Sequence, residues 1–213
     1  MEKFKKEIPF LAIALIPFVY LIYIWNRLPE KVPMHWNGAG EIDRYGDKKE
    51  LVAMLCMLVG ITYFVFLIIP YVDPKQKLQN MGNKLNNLRM ILTLFMSGLA
   101  VFILYSVQQK SSNPGFVFAI IGLLFAFLGN YFKTIKPNYF IGIKTPWTLE
   151  NEEVWKKTHI MGGKLWFVGG LLMSLTFLIP NEMQLYTFLG ITAVITIVPI
   201  VYSYLEFKKI KNQ

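Results

Sequence analysis

The sequence predicts an all-α integral membrane protein with six transmembrane helices and both termini in the cytoplasm, and three observations carry that prediction. First, the 213 residues are 54% hydrophobic and 16% charged, against about 25% charged in an ordinary soluble domain. Second, the charges are segregated. Six runs, 8–25, 51–72, 90–108, 116–132, 165–180 and 185–205, hold no Asp, Glu, Lys or Arg. A helix needs about 20 apolar residues to cross the hydrocarbon, and these runs approach or reach that length. The short fifth run can extend through residues 160–163 while Lys164 snorkels. Third, Lys and Arg divide unevenly: the N-terminus, 73–89, 133–164 and the tail after 205 hold 16, whereas 26–50, 109–115 and 181–184 hold 6. The richer side is expected to be cytoplasmic. The net charge of +9 is then a topology signal and an attraction to membrane lipid of anionic type. It is not the basic face of a soluble protein in direct contact with nucleic acid. A soluble chain of this size would not carry six such runs in its core.

The first run, 8–25, follows Lys3, Lys5 and Lys6. It is long and has no small-residue cleavage site after it, so it reads as an uncleaved signal anchor. The second, 51–72, contains Cys56, the sole cysteine. That excludes an internal disulfide or a cysteine-based zinc site and suits a small buried hydrophobe. Segment 73–89 is polar and basic without aromatics; it reads as a solvated connection or a weakly amphipathic surface helix. In the fourth run Ala119, Gly122, Ala126 and Gly129 recur on one helical face, where small residues let backbones approach. Packing within the chain is favoured there over a dimer face. Pro17, Pro70 and Pro199 interrupt the spans, whose cores hold no ionisable side chain. That argues against a proton-coupled pump or a charge-lined channel. Function is therefore expected in two connections.

The first is NRLPEKVPMHWNGAGEIDRYGDKKE, residues 26–50, on the outer side. Pro29 and Pro33 set an extended entry, and Gly38-Ala39-Gly40 and Tyr45-Gly46-Asp47 signal turns. His35, Trp36 and Asn37 lie between them. Three readings are open: a metal or catalytic site on His35 with Glu41, Asp43 or Asp47, an interfacial aromatic belt, or a folded extracytoplasmic cap loop that binds something. One histidine is too few for the first, and no metal or cofactor is expected.

The second is the inner insert 133–164. Pro137-Asn138 and Thr145-Pro146 break helix, and Gly142 gives freedom between them. Thr148 suits an N-cap, with Glu150, Glu152 and Glu153 near the positive helix end. Lys156 and Lys157 follow Glu152 and Glu153 at the favourable four-residue spacing, while Val154, Trp155 and Thr158 share the opposite face. Residues 149–160 are thus expected to form a cytoplasmic amphipathic helix on the membrane surface, feeding the fifth span. Catalytic motifs such as G-x-x-x-x-G-K-[ST], H-E-x-x-H and G-x-S-x-G are absent. On the expected topology His35 and His159 lie on opposite sides of the bilayer.

Residues 28–48, LPEKVPMHWNGAGEIDRYGDK, resemble the extracytoplasmic motif of DUF1648, which reads like L-P-x-x-[VI]-P-x-H-[FW]-N-x-x-G-x-x-D. Leu28, Pro29, Val32, Pro33, His35, Trp36, Asn37, Gly40, Asp43 and Lys48 match. Residues 129–166 resemble the signature of the SdpI family. Gly129, Asn130, Pro137, Asn138, Gly142, Thr145, Pro146, Trp147 and Thr148 match, followed by Val154, Trp155, Thr158, His159 and Gly162. Lys144 stands where that pattern leads one to expect arginine; lysine keeps the charge and loses the planar fork.

The resemblance implies a DUF1648-like region over 1–72 and an SdpI-like region over 73–213 of a bacterial cell-membrane immunity protein. It also implies a receptor for a secreted toxin peptide that holds a small ArsR-type autorepressor at the membrane. On this reading Pro33, His35, Trp36, Asn37, Gly40, Asp43 and Tyr45 are the outer ligand-binding candidates. Asn130, Pro137, Asn138, Gly142, Lys144, Thr145, Pro146, Trp147, Thr148, Trp155, Thr158 and His159 are the inner signalling candidates. Two other classes stay open: a transporter or flippase for a hydrophobic compound, and a membrane enzyme using His35 or His159.

Overall fold

The computed structural model describes residues 2–73, 78, 81–109 and 115–212, with side chains from Lys5 onward. It contains six helical stretches long and apolar enough to cross a membrane: Lys5–Arg27, Glu50–Val72, Asn83–Gln108, Gly115–Phe132, Glu152–Leu178 and Asn181–Lys211. The protein is a multi-pass membrane protein. Its chain forms two compact units, Met1–Tyr71 with Leu85–Pro114, and Val72–Lys84 with Gly115–Gln213. The third span thus groups with the first two, whereas the sequence reading divides the chain after residue 72.

Unit 1 begins with α1 (Glu2–Ile24), which contains Pro9 and Pro17. The expected cap is not all loop: β1 (Lys31–Trp36) and β2 (Ile42–Asp47) pair antiparallel as a two-stranded hairpin. The second span runs through α2 (Glu50–Leu55), a wide π-turn at Cys56–Gly60, and α3 (Ile61–Val72). The third is α4 (Asn83–Gln108). Leu21 and Ile24 of α1, Leu51 and Leu55 of α2 and Leu104 of α4 enclose Leu28 and Val32, each 5% exposed or less. Val32 thereby roots the hairpin in the helix packing. Tyr20 donates to Gln108 Oε1 at 3.0 Å nearby. Cys56 corrects its expected burial: it is exposed, because it follows Leu55 by one residue and so lies off the face that Leu51, Leu55 and Val59 bury. Of the polar connection 73–89, residues 74–77, 79 and 80 lie outside the described residues, as do 110–114 of the next connection.

Unit 2 holds α5 (Gly115–Phe132), α6 (Pro146–Glu150), α7 (Glu152–Ser174) and α8 (Asn181–Lys211). The small-residue face of α5 packs within the chain. A Cβ on Gly122 would lie 2.5 Å from Ser174 N, and one on Gly163 would lie 2.6 Å from Gly129 O. Gly170 likewise meets the Ala126 backbone. Two backbones this close gain the dispersion contact that substitutes for a hydrophobic drive inside lipid. Pro199 lies inside α8 and cannot donate to the carbonyl four residues earlier. Trp166 Nε1 supplies the missing hydrogen to Ile195 O at 2.8 Å, so the proline leaves no orphaned acceptor in a medium without water.

The expected surface helix over 149–160 is corrected. Helix α6 ends at Glu150, and Asn151 caps α7 by accepting from Glu153 N at 2.9 Å and Val154 N at 3.0 Å. From Glu152 the helix runs unbroken into the span. Val154, Trp155, Thr158 and His159 are 2% exposed or less, so their shared face is core and not a membrane-facing stripe. Thr148 is not the cap either. Thr145 caps α6, and the two threonines form a reciprocal capping box: Thr148 N donates to Thr145 Oγ1 at 3.2 Å and Thr145 N to Thr148 Oγ1 at 2.9 Å.

Candidate functional site

The hairpin and the segment 130–159 gather the motif residues. In the hairpin, Asn37 builds the turn. Its Oδ1 accepts from Ala39 N and Glu41 N at 3.0 Å each, and its own N–H donates to Glu41 O at 2.8 Å. Gly40 sits at φ 79, the left-handed region that glycine enters without a Cβ penalty. Register irregularities between Pro33 and Trp36 pair His35 with Arg44. They bring His35 Nδ1 to 2.6 Å from Asp43 Oδ1. Both side chains are exposed, and so is Tyr45, opposite Pro33. Trp36 is half-buried, and its indole N–H has no partner among the described residues. Among those residues no group of three or more His, Cys, Asp or Glu is placed to hold a metal.

The hairpin base is tied down by charge. Glu50 accepts from Arg44 Nη1 and from Asp47 N, both at 3.0 Å. Lys48 Nζ donates to Glu30 Oε1 at 2.7 Å and lies 5.2 Å above the Trp25 ring. The Lys49 N–H donated to its carboxylate, helped by the charges of Lys49, Lys31 and Lys48, holds Asp47 below the usual carboxylate range. The result is a rigid frame whose tip leaves polar and aromatic groups reachable.

The second segment is built inward. Asn138, 1% exposed, accepts from Phe140 N at 2.8 Å and Ile141 N at 2.7 Å. Its amide donates to Lys136 O and Ile141 O at 2.9 Å each. All four hydrogen-bonding positions of the side chain are filled. His159 Nε2 accepts from Ile143 N at 3.0 Å, and Nδ1 is 2.8 Å from Trp155 O. Those partners assign the neutral tautomer with hydrogen on Nδ1. Trp155 stacks on His159 with centroids 4.1 Å apart and donates to Ile135 O at 2.9 Å. Gly142, at φ 113, passes over both rings, where a Cβ would collide with His159 Nε2. Thr148 Oγ1 donates to Ile143 O at 2.9 Å, and Thr145 Oγ1 lies 3.1 Å from Ser203 Oγ on α8.

The sequence candidates therefore separate by burial. Asn138, Thr145, Thr148, Trp155, Thr158 and His159 are interior, whereas Asn130, Lys144 and Pro146 are exposed. Pro137 and Trp147 are half-buried, the latter 5.1 Å from the Tyr204 ring. Lys144 Nζ donates to Tyr139 O at 3.2 Å and Phe140 O at 3.1 Å. These are two single acceptors that an ammonium serves as well as a guanidinium. Sequence reasoning missed Asn151, Trp166, Ser203 and the buried Glu206, which binds Lys157 at 3.2 Å and Lys209 at 2.9 Å. A proline inside a span was the available clue to Trp166.

Comparison with known proteins fits this division. Residues 134–203 match the SdpI/YfhL protein family, and residues 12–60 match a domain of unknown function, DUF1648. The chain thus resembles SdpI/YfhL-family proteins over its second half and DUF1648 proteins near its N-terminus. The family match spans the inward-built segment with α7 and most of α8, and the DUF1648 match spans the hairpin. The chain is 23% identical over 210 residues to the immunity protein SdpI of Bacillus subtilis (strain 168), covering 98% of this chain and 99% of that one. It is 39% identical over 59 residues to an uncharacterized protein of Archaeoglobus fulgidus, covering 28% of this chain and 31% of the other. No solved structure matches.

Proposed function

We propose that the chain is a membrane immunity protein that recognises a secreted toxic peptide with its hairpin and signals occupancy from the 130–159 side. The observation that carries this reading is the end-to-end similarity to an immunity protein, 98% of this chain against 99% of that one. In this reading the hairpin faces outward and both termini lie inside. The hairpin suits capture of an apolar peptide: Tyr45 and the His35–Asp43 pair are exposed on a frame fixed by Glu50 and Val32. Rigid aromatic anchors bind at low entropic cost.

A cytoplasmic autorepressor of ArsR type would meet the exposed Asn130, Lys144 and Pro146. Trp155, Thr158 and His159 act in this reading as packing that can shift and not as contacts, since all three are buried. Signalling requires the peptide to prefer one arrangement of the spans over another. The protein is then a binder and not a catalyst.

Expression in a toxin-sensitive strain should raise survival, and the double variant His35→Ala with Tyr45→Ala should abolish that gain at equal membrane abundance. Unchanged killing by a panel of secreted peptides, with insertion verified, removes the immunity reading. Impermeant labelling of single cysteines at positions 45 and 144 tests the orientation: label at 45 only supports it, and label at 144 only reverses it.

A further inference from the structure

Where the sequence shows spans without charge in their cores, the fold seals one charge pair inside unit 1. Arg89, at the start of α4, is 7% exposed. It grips Glu7 of α1 with both terminal nitrogens, Nη1 to Oε1 at 2.8 Å and Nη2 to Oε2 at 2.5 Å. Tyr63 of α3 donates to the same carboxylate at 3.3 Å. The guanidinium lies 4.1 Å from the Phe10 centroid and 5.3 Å from that of Tyr63. Three of the helices of unit 1 therefore meet at one carboxylate. The apolar cluster around Leu28 and Val32 lies past the other end of α1, which is roughly 25 Å along the helix from Glu7.

Three features make this more than packing. An ion pair with a buried guanidinium is a poor source of stability compared with apolar side chains of similar volume, because Arg89 loses its solvation and Glu7 part of its own. Its two halves are unequal: the Glu7 side chain is 28% exposed and that of Arg89 8%. Arg89 is also sandwiched between rings, so separation proceeds by movement of Glu7. Finally, Pro9 follows Glu7 by two residues. It cannot donate to the Lys5 carbonyl, which weakens the helix where the first turns join the rest.

We propose that the Glu7–Arg89–Tyr63 cluster is a latch that closes the first two turns of α1 onto α4, with Pro9 as its hinge. Closed, the latch neutralises Arg89; open, it leaves a guanidinium facing the membrane interface. The proposal does not depend on the ligand of the hairpin.

The test is a distance measurement between spin labels in nanodiscs, on a Cys56→Ala background because Cys56 is exposed. Labels go at Ile8 and Leu94, which are 50% and 52% exposed. The parent should give one narrow distance. Glu7→Gln should add a second, longer population, and the swap of Glu7→Arg with Arg89→Glu should remove most of it. Pro9→Ala in the Glu7→Gln background should narrow the distribution by stiffening the hinge. If Glu7→Gln fails to accumulate, Glu7→Asp, one methylene short, should show the same second population. A Glu7→Gln or Glu7→Asp protein with the parent's single distance overturns the latch. So does a Glu7→Gln broadening that Pro9→Ala leaves unchanged.

Discussion

The hairpin and the 130–159 segment are both dense in motif residues, yet they use them in opposite ways. In the hairpin, side chains that make the frame (Asn37, Glu50, Lys48) are distinct from those left at the surface (His35, Asp43, Tyr45). In the second segment most motif residues are themselves the frame. Asn138, Thr148 and His159 each close backbone hydrogen bonds that no water could satisfy in the interior. A motif residue is thus no guide to whether a ligand touches it. Burial and hydrogen-bond satisfaction decide, and they predict that substitutions in the second segment act through folding while those in the hairpin act through binding.

The largest effect is expected from Asn138→Asp. Two of the four hydrogen bonds of Asn138 use its amide hydrogens to reach Lys136 O and Ile141 O. A carboxylate there would face two carbonyl oxygens, and a protonated acid would still offer one hydrogen where two are needed. The cost should be about 3–5 kcal/mol, seen as a collapse in the yield of folded, detergent-extracted protein. Near-normal yield would show that the turn has another support and would weaken the division between the two regions.

Gly142→Ala comes next. At φ 113 the backbone is outside even the left-handed helical well open to other residues, and the added methyl meets His159 Nε2. Strain plus a displaced Ile143–His159 hydrogen bond should cost about 2–4 kcal/mol, measured as a lower unfolding midpoint in detergent. A His159→Ala change in the same chain relieves the collision and leaves the strain, so the double variant should lose less than the sum of the singles.

Trp166→Phe is a smaller perturbation with a cleaner cause. It keeps an aromatic ring against Phe125 and Phe132 but leaves Ile195 O without a donor. The loss should be about 1–2 kcal/mol. Adding Pro199→Ala restores the helical N–H to that carbonyl, so the pair should recover most of the loss in the same unfolding assay.

These residues also mark how far the sequence could be read. The six spans were legible because charge exclusion over 16 to 22 residues is a one-dimensional property. So was the small-residue face of α5, because a helix maps spacing onto direction. The amphipathic reading of 149–160 misplaced its apolar face. Val154, Trp155 and Thr158 do share a side, but spacing cannot say whether that side meets lipid or protein, and here it meets the 135–143 turn. Thr148 and Thr145 were interchanged as caps because the capping box uses both. Glu7 and Arg89 are 82 residues apart in sequence, and each sits at the edge of an apolar run where it reads as a flank. Nothing local announces their meeting. In the hairpin, turn chemistry placed Gly40 correctly, but Tyr45-Gly46-Asp47, expected as a second turn, lies in β2, and the bulged register that joins His35 to Asp43 depends on pairing across the strands.

The smallest stability effect, and the one that tests the comparison from the other side, belongs to His35→Ala. His35 contacts Asp43 at 2.6 Å, but both side chains are exposed, at 64% and 43%. Such a pair trades side-chain entropy and hydration for a screened attraction, so its removal should change stability by less than about 0.5 kcal/mol. The strand register rests on Asn37, Glu50 and Val32, which the change leaves alone. The unfolding midpoint in detergent should therefore match the parent while protection in a sensitive strain falls. A fall in both would mean that the His35–Asp43 contact holds the hairpin together, and the hairpin would then join the 130–159 segment as a region whose motif is its own scaffold.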